Sequence, residues 1–501
     1  MKTKSLLSLL FGACLLWLGG CNPFANDISL DDWQPELAVP LFESSVNVVD
    51  LLEGFDELGE VQIDPDNLIR LVYKSDYYEV TSTELLTLVP QNTFVLWDTV
   101  RHYTLDLNNA NIEEIRVKSG NLFYQVGHLT WSGVTVNLTV PQATKDGVVF
   151  NEDFPLTSFL TQGYFDLEGY SLRPTNDTVT FKYTARTANG TEFEFNNTFS
   201  LQFQDVEHTF VQGYLGTATY FVPRDSIEID FFDFFLSGSA FFEDPVVEVI
   251  VDNSFGFPVR ASVEILEAVR TDGSIIPIAN LDLEEGIDFN YPSLNEIGQT
   301  KYTSFIFDKN NSNIENVIGQ PISLVDYKAT PWANPDGDST IIGFVTDSSS
   351  MGFEVRADLP FYGRLNGFTV ADTFDFDITD RDEINYAEFK LITENGFPTD
   401  VDMQLTFIDA EDQILDSLMI NDSRILTAAN VNSEGEVTQP QVKETFIRLE
   451  DSRLERIRLN ARRIVVRTSI STLNGGDVSV PIYADYSVDY RVGLIAGVDP
   501  D

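Results

Sequence analysis

The sequence predicts an all-β protein built of tandem β-sandwich-like domains with few short helices. Alternating apolar and polar residues, the pattern of strands with one buried face, recur along the chain, for example over 134–140, 247–251 and 374–378. The 38 Phe and 18 Tyr residues belong to types that fit a half-buried pleated surface. Gly, Asn, Asp and Pro separate these runs, as turn residues do. Two short helices are expected, over 311–318 and 451–460.

The first element in chain order is a short apolar segment. Two lysines precede an apolar run over 6–18, and the triplet Gly-Gly-Cys, which ends at Cys21, follows it. The run is shorter than the roughly 20 residues that a membrane-spanning helix requires. This order of features resembles a bacterial lipoprotein signal, and an ordinary secretory signal is the alternative. The resemblance implies a signal peptide over 1–20, lipidation of Cys21 with palmitate or a similar acyl chain, and a tether over 21–35.

The residues after the cysteine bear on the location of the protein. Asn22 stands where an aspartate would imply inner-membrane retention in Gram-negative families. The resemblance therefore implies an outer-membrane protein that is held by its lipid anchor. Asp27, Asp31 and Asp32 form a sparse acidic stretch that is loosely similar to the surface-export signals of Bacteroidota. Periplasmic and surface-exposed locations both stay open.

The composition of the mature chain excludes several classes of function. Cys14 leaves with the signal and Cys21 is used by the anchor, so no thiol is left for a disulfide, a nucleophile or a metal site. Removal of Lys2 and Lys4 leaves 29 basic and 79 acidic residues, a formal charge of −50. Nucleic acid is excluded as a partner because its phosphates require a basic surface. The same charge argues against electrostatic docking of the chain on anionic lipid, so the expected membrane contact is the lipid anchor.

A repeat divides the mature chain. Residues 246–266 and 387–407 both consist of a strand, an Asn/Gly/Phe/Pro turn and a second strand, and a short helix and a further strand follow each in the same order. Residues 112–141 form a more diverged third copy. The spacing of about 140 residues suits units that have their own cores and modest interfaces. We therefore predict three β domains, called the first, second and third units, over 36–220, 221–368 and 369–501.

Two short segments resemble known families. The repeated strand–turn–strand element, with turns at 253–258 and 395–398, is similar to the core hairpin of late-embryogenesis-abundant type 2 domains, which are small β-sandwiches. The segment 33–41 resembles the opening of uncharacterised Bacteroidota lipoproteins. The first resemblance implies a hairpin inside a sandwich, and the second implies no particular activity.

The residues that usually carry catalysis are sparse in this sequence. His102, His128 and His208 are 26 and 80 residues apart, spacings that fit no metal-binding pair. Gly-Asp-Ser at 337–339 is superficially similar to a hydrolase nucleophile motif, but no histidine follows His208 to act as its base. The sequence also has no Gly-x-Ser-x-Gly elbow, no P-loop and no dinucleotide fingerprint. We predict no catalytic residue and a protein that is not an enzyme.

Two segments are candidate binding sites. Asn334, Asp336 and Asp338 supply closely spaced oxygens of the kind that Ca²⁺ prefers, and a plain Pro-Asp-Gly turn is the alternative. The other segment is an arginine-rich stretch, which suits an acidic protein or glycan partner. Its alternative is internal neutralisation by neighbouring acidic strands. The arginines of this candidate patch are Arg453, Arg456, Arg462 and Arg463.

The favoured function is that of a lipid-anchored envelope protein whose tandem β domains act as a non-enzymatic binding or structural module. One alternative is a carrier of apolar ligands between membranes, lined by the phenylalanine-rich segments 231–236 and 241–242. The other is a glycan hydrolase that uses two carboxylates, for which the acidic run 372–383 is the densest candidate. No cofactor is expected beyond the candidate Ca²⁺. Chain order from the anchor places the first unit nearest the membrane and the third unit farthest from it.

Overall fold

The structure is a computed structural model, and its described part is all-β, as predicted. It contains six antiparallel sheets and a few short helices. No helix in this part is long and apolar enough to cross a membrane. The predicted signal peptide, the tether and Cys21 lie outside the described residues. The structure describes residues 36–48, 59–85, 92–105, 109–127, 133–195, 198–232, 236–279, 286–376, 384–419 and 423–498.

The N-terminal segment consists of strands that join the sheets of later units. Its elements are β1 (Glu36–Asn47), β2 (Gly59–Ile63), β3 (Ile69–Lys74), β4 (Tyr78–Thr81) and α1 (Ser82–Leu85). Apolar residues alternate along β3, and Ile69, Leu71 and Tyr73 are each at most 1% exposed. Because its alternate residues are buried, β3 must lie against a core, and that core is supplied by a later part of the chain.

The rest of the first unit, for which that name is kept from here on, is one long sheet folded around an aromatic core. Its strands are β5 (Phe94–Leu96), β6 (Val100–Thr104), β7 (Asn111–Gly127), β8 (Thr135–Lys145), β9 (Val148–Pro155), β10 (Leu160–Asp166), β11 (Ser171–Leu172), β12 (Thr178–Arg186), β13 (Glu192–Phe193) and β14 (Phe199–Tyr214). The longest strands, β7 and β14, pair with each other, and irregularities in their register between 204 and 213 are typical of bulges that bend strands. In the core, Phe154, Tyr183 and Phe195 surround Phe199 with ring centroids 5.3 to 6.0 Å away.

The second unit is a sandwich of two sheets. Its strands are β15 (Ala218–Thr219), β16 (Asp225–Glu228), β17 (Ser237–Phe242), β18 (Val246–Asn253), β19 (Val259–Arg270), β20 (Ile275–Pro277), β21 (Ile287–Phe289), β22 (Lys301–Phe307), β23 (Ile322–Ala333), β24 (Gly343–Thr346) and β25 (Ser350–Pro360). The helix α2 (Ile314–Ile318) and two 3₁₀ turns, Asp230–Phe232 and Leu294–Glu296, connect them. One sheet has the order β2-β3-β25-β18-β22, and the other includes β15-β23-β19-β20.

The third unit repeats this sandwich. Its strands are β26 (Tyr362–Asp375), β27 (Ile384–Asn395), β28 (Thr399–Ile408), β29 (Ile414–Ser417), β30 (Arg424–Leu426), β31 (Asn430–Val431), β32 (Val437–Gln439), β33 (Gln441–Glu450), β34 (Arg463–Thr472), β35 (Val480–Pro481) and β36 (Ser487–Val498). Its helices are α3 (Asp451–Asn460) and the single turn α4 (Leu473–Gly476). One sheet has the order β1-β36-β27-β33, and the other has the order β17-β26-β34-β28-β29.

The pairing of strands confirms the repeat. In the second unit β18 lies between β22 and β25, and in the third unit β27 lies between β33 and β36. In the facing sheets β19 pairs with β20, β21 and β23, and β28 pairs with β29, β30 and β34. The helices α2 and α3 occupy the same place in the two orders. The two units therefore share one topology.

The repeated element is not the hairpin that the sequence implied. Its two strands lie in opposite sheets of the sandwich, so the turn is an arch between the sheets. In both arches a fully buried asparagine, Asn253 or Asn395, accepts a hydrogen bond at Oδ1 from the backbone N–H two residues later, at 3.0 Å. This Asx turn redirects the chain from one sheet to the other. The sequence pattern is the same for a hairpin and for an arch, because each strand has one buried face in either case.

The sheets cross the boundaries predicted for the three units. β1 pairs with β36 of the third unit over residues 36–47, and β3 and β4 pair with β25 of the second unit. β24 of the second unit pairs with β14 of the first, and β17 pairs with β26. The divisions at 36–220, 221–368 and 369–501 therefore do not coincide with sheet membership. Edge strands join a sheet through backbone groups, so the sequence carries little trace of which sheet they will join.

Candidate functional site

The candidate arginine patch is built around one buried carboxylate. Arg453 lies in α3 and donates from Nε and Nη2 to the two oxygens of Asp416, at 3.1 and 2.9 Å. Arg456, one turn later, donates to the same carboxylate at 2.6 Å. The side chain of Asp416 is 7% exposed. Burial favours its neutral form, but the hydrogen bonds from Arg453 and Arg456 lower the pKa of Asp416 to about 2. These two arginines therefore hold the helix on strand β29.

The other two arginines of the patch differ from each other. Arg463 forms an ion pair with Asp412. Arg462 donates to the backbone oxygens of Leu459 at 3.3 Å and of Ala461 at 2.7 Å, so it caps the C-terminal end of α3. Internal neutralisation, the alternative interpretation of the patch, thus accounts for Arg453, Arg456 and Arg463. Arg462 is instead exposed and bonded to neutral backbone groups.

The candidate calcium segment is a turn that fastens the second unit to the first. The backbone N–H of Gly337 donates to the oxygen of Asn334 at 2.9 Å, which closes the turn. Asn334 is 3% exposed, and its Nδ2 donates to the oxygen of Gly216 at 2.5 Å, just beyond β14. Asp336 pairs with Arg260 at 3.4 Å, and Asp338 accepts from the backbone and hydroxyl of Thr340 at 2.9 and 2.7 Å. Each side chain has a separate structural partner, and no group of three His, Cys, Asp or Glu side chains that could hold a metal occurs in the described part of the chain.

His102 and His208, the two histidines in the described part of the chain, occupy structural positions. Nδ1 of His102 lies 3.0 Å from the hydroxyl of Thr180, and His128 lies outside the described residues. His208 is 8% exposed, and its Nε2 is buried without a hydrogen-bond partner. Burial lowers the pKa of His208, which lies near the ion pair between Lys118 and Asp347. A buried neutral imidazole at this position is a packing group between the first and second units.

Sequence reasoning missed the junction between the first and second units. The residues 210–213 of β14 pair with β24, and the rings of Phe210 and Phe344 are stacked at 6.2 Å. On its other side Phe344 exchanges backbone hydrogen bonds with Gly256, at 2.9 and 3.2 Å. The arch of the second unit has two more residues than that of the third, and Gly256 is one of them. That difference in arch length is the sequence signal that could have indicated the junction.

The phenylalanines proposed as the lining of a carrier form part of a packed core. The ring centroid of Phe231 lies 5.0 Å from that of Phe232 and 5.5 Å from that of Phe242. Phe361 and Phe368 close the cluster at 5.8 and 6.1 Å from Phe231. The residues 233–235 lie outside the described part. In the first unit the core encloses a void of about 30 Å³, far below the roughly 300 Å³ at which ligand pockets begin.

The acidic run over 372–383 is described only in part. Asp372 and Asp375 lie on β26, and residues 377–383 are outside the described part. Oδ1 of Asp372 accepts a hydrogen bond from the backbone N–H of Thr373 at 2.7 Å. Asp375 is exposed and alternates with Phe374 and Phe376, as expected for the solvated face of a strand. Asp372 is half-buried and lies three residues earlier, so it is on the opposite face of the strand, together with Phe374 and Phe376. This placement agrees with a structural role for the two described carboxylates.

A polar cleft lies on the outer face of the third unit. Its volume is about 530 Å³. Four of its residues lie on four neighbouring strands and pair in register, so that they form one row. In order across the sheet they are Ser237, Thr369, Ser469 and Asp402. The hydroxyl of Thr369 donates to that of Ser469 at 3.3 Å. The exposed Arg467 lies on the same face, opposite Gln404. The cleft offers hydroxyl, amide, carboxylate and guanidinium groups to a polar partner.

Comparison with known proteins gives no family for this chain. No family model matches it, and neither does any curated protein. The structure is similar to that of a predicted secreted protein from Parabacteroides distasonis, with a TM-score of 0.28 and 9% identity over 93% of this chain and 100% of that chain. It is also similar to the VP2 subviral particle of infectious bursal disease virus, with a TM-score of 0.17 and 10% identity over 77% of this chain and 73% of that chain. Similarity at this level does not bear on the function.

Proposed function

We propose that this protein is a lipid-anchored envelope protein whose three β units act together as a non-enzymatic structural or binding module. The observation that carries the proposal is the exchange of strands between units. The N-terminal segment pairs first with the third unit and then with the second, and β24 of the second unit pairs with the first. Hydrogen-bonded sheets that run across unit boundaries resist bending better than flexible linkers, which suits a spacer that holds its parts at fixed positions.

The placement of the charged side chains supports a structural role. Arg453 and Arg456 fasten a helix to a strand, and Asp336 and Asp338 stabilise a turn and its flanks. These residues were the strongest candidates for chemistry in the sequence. For the binding part of the proposal, the polar cleft that contains Arg467 offers hydrogen-bonding groups that suit a protein or glycan partner.

The anchor is tested by Cys21→Ser in cells grown with a labelled fatty acid. The expected result is loss of the label and accumulation of an unprocessed precursor, because the acylated thiol is absent. Cys14→Ser is the matched control, since it removes the other cysteine of the chain and should leave labelling unchanged. Continued labelling of the Cys21→Ser protein would contradict the proposal.

A further inference from the structure

We propose that the end of the third unit that carries α3 rests on the lipid surface that holds the anchor, with the first unit farthest from that surface. The inference rests on the lipid anchoring proposed above. It reverses the order expected from the sequence, in which the first unit lies nearest the membrane. The proposed contact consists of Arg462, which caps α3, and two exposed apolar side chains, and its partner is the phosphate-bearing surface of a bilayer.

The described chain begins 15 residues after the proposed anchor. Glu36, the first residue of β1, follows Cys21 by 15 residues, which span at most about 50 Å. Glu36 pairs with Gly497 of β36, and Tyr386 of β27 pairs with both Gly497 and Glu450 of β33. These four residues form one row across the sheet, about 15 Å wide. The helix α3 begins at the residue after Glu450, so it lies at the end of the third unit where β1 begins.

From that end the chain runs along the third unit and then enters the second. β1 runs along the third unit to Asn47, which pairs with Ser487, and Val48 packs with Ile69 and Phe397. Ile69 belongs to β3, which is part of the second unit's sheet. The first unit comes next in the chain and is joined to the second through β24. The order from the anchor is therefore third unit, second unit, first unit.

The end of the third unit that faces the anchor carries arginines and exposed apolar side chains. Two arginines of α3, Arg453 and Arg456, share the single carboxylate of Asp416, and the exposed Arg462 is bonded to backbone oxygens. Leu459 is 47% exposed and Ile414 is 72% exposed. Ile414 pairs with Ile408, which pairs in turn with Arg463, three residues after the end of α3, so both apolar side chains lie at this end.

These groups fit a bilayer surface. Guanidinium groups bind phosphates through paired hydrogen bonds, and aliphatic side chains enter the interfacial layer. Asp412 and Glu455 also lie at this end, where they pair with Arg463 and Arg458. Because these pairs are internally neutral, the proposed contact depends on the two apolar side chains and on Arg462, which is bonded to neutral backbone groups.

The test uses the full acylated protein in vesicles of phosphatidylethanolamine and phosphatidylglycerol that contain a headgroup quencher. Because Cys21 is acylated, a single fluorescent label can be placed at Leu459→Cys or, in the first unit, at Phe159→Cys, where the native side chain is 73% exposed. We expect quenching at position 459 and none at position 159. Quenching at 159, or at neither position, overturns the proposal. Absence of acyl chains in the mass spectrum would instead overturn the anchoring itself.

A charge variant tests the role of arginine. Arg462→Gln should lower the equilibrium constant for the docked state about fivefold, because one basic side chain near an anionic surface contributes that much. Arg462→Lys should retain docking, since it keeps the charge. Arg186→Gln is the matched control, because Arg186 is an exposed arginine of the first unit. An unchanged docking constant in Arg462→Gln would show that the arginine does not contact lipid and would overturn that part of the proposal.

Discussion

The second and third units share a topology but fasten their helices with different chemistry. In the second unit Asn313, just before α2, accepts from the backbone N–H of Ala279 at 2.7 Å and donates to the oxygen of Pro277 at 3.2 Å. In the third unit the corresponding residue is Arg453, which binds Asp416 and the oxygen of Ser417. Both contacts join the helix to the strand that pairs with the second strand of the arch, β20 in the second unit and β29 in the third. The fold thus requires a tether at this place, and either an amide or an ion pair can supply it.

The second and third units also differ in which other part of the chain pairs with their strands. The arch of the second unit has the extra residues Gly256 and Phe257, and Gly256 holds the strand that pairs with the first unit. The third unit has the shorter arch and receives β1 from the N-terminal segment. Small changes around a shared core therefore gave one copy a junction to the first unit and the other a pairing with the N-terminal segment.

The largest effect is expected where the second unit depends on the N-terminal segment. Leu71 of β3 is 1% exposed and packs in the second unit's core with Val355 and Phe307, more than 200 residues later in the chain. Leu71→Ala should lower the free energy of unfolding by about 3 to 4 kcal/mol, because it removes buried methyl groups and leaves a cavity. Urea titration measures the loss, and hydrogen exchange should show faster opening of β25.

Ile63→Ala is the matched control, since Ile63 lies in the same segment but is 50% exposed. Its expected loss is below about 1 kcal/mol, because little apolar area leaves a core. Equal losses for the two variants would mean that the N-terminal segment is not part of the second unit's core.

The two arches offer a matched pair of buried asparagines. Nδ2 of Asn395 donates to Thr399 at 2.9 Å and to Thr427 at 2.8 Å, whereas Nδ2 of Asn253 donates to Asn290 at 3.1 Å. Asn395→Ala should lower the free energy of unfolding by about 3 kcal/mol and Asn253→Ala by about 2 kcal/mol, because each leaves buried backbone groups without partners. Thermal and urea unfolding of the two variants measure the difference.

Asn295→Ala is the control for this pair, because Asn295 is exposed on a short turn of the second unit. Its unfolding free energy should stay within about 0.5 kcal/mol of the parent value. If the two buried asparagines caused losses no larger than this, the arches would not depend on their Asx turns. The shared shape of the two arches would then be stabilised by contacts other than these hydrogen bonds.

The sequence predicted the strands and the repeat because both depend on local pattern. Alternation over 247–251 marks β18, and the shared Asn-x-Phe marks two equivalent turns, in which Asn253 and Asn395 take the same role, although the sequence implied hairpins there and the structure has arches. What it could not predict depends on partners far apart in the chain. The pairing of β1 with β36 uses backbone groups, and the contact between Arg453 and Asp416 joins residues 37 positions apart. Arginine patches look alike in sequence whether or not a carboxylate lies beneath them.

The smallest expected effects separate the two ways of fastening the helix. At pH 7, Asp416→Asn should lower the free energy of unfolding by about 2 kcal/mol, which corresponds to the lowering of the Asp416 pKa from 3.8 to about 2. Because the pKa is lower in the folded state, this stability is present above about pH 4 and is lost as the pH falls through 2. Asn313→Ala should cost about 1 kcal/mol at every pH, because its hydrogen bonds join neutral groups.

Unfolding of the parent chain and both variants between pH 7 and pH 2 measures these two deficits. The deficit of Asp416→Asn should shrink toward zero at the acid end, while that of Asn313→Ala should stay constant. A deficit of Asp416→Asn that persists at pH 2 would show that the carboxylate acts through shape and hydrogen bonding. In that case both helices would be held by hydrogen bonds that do not depend on charge. The ion pairs of Arg453 and Arg456 with Asp416 would then be weaker than their distances imply.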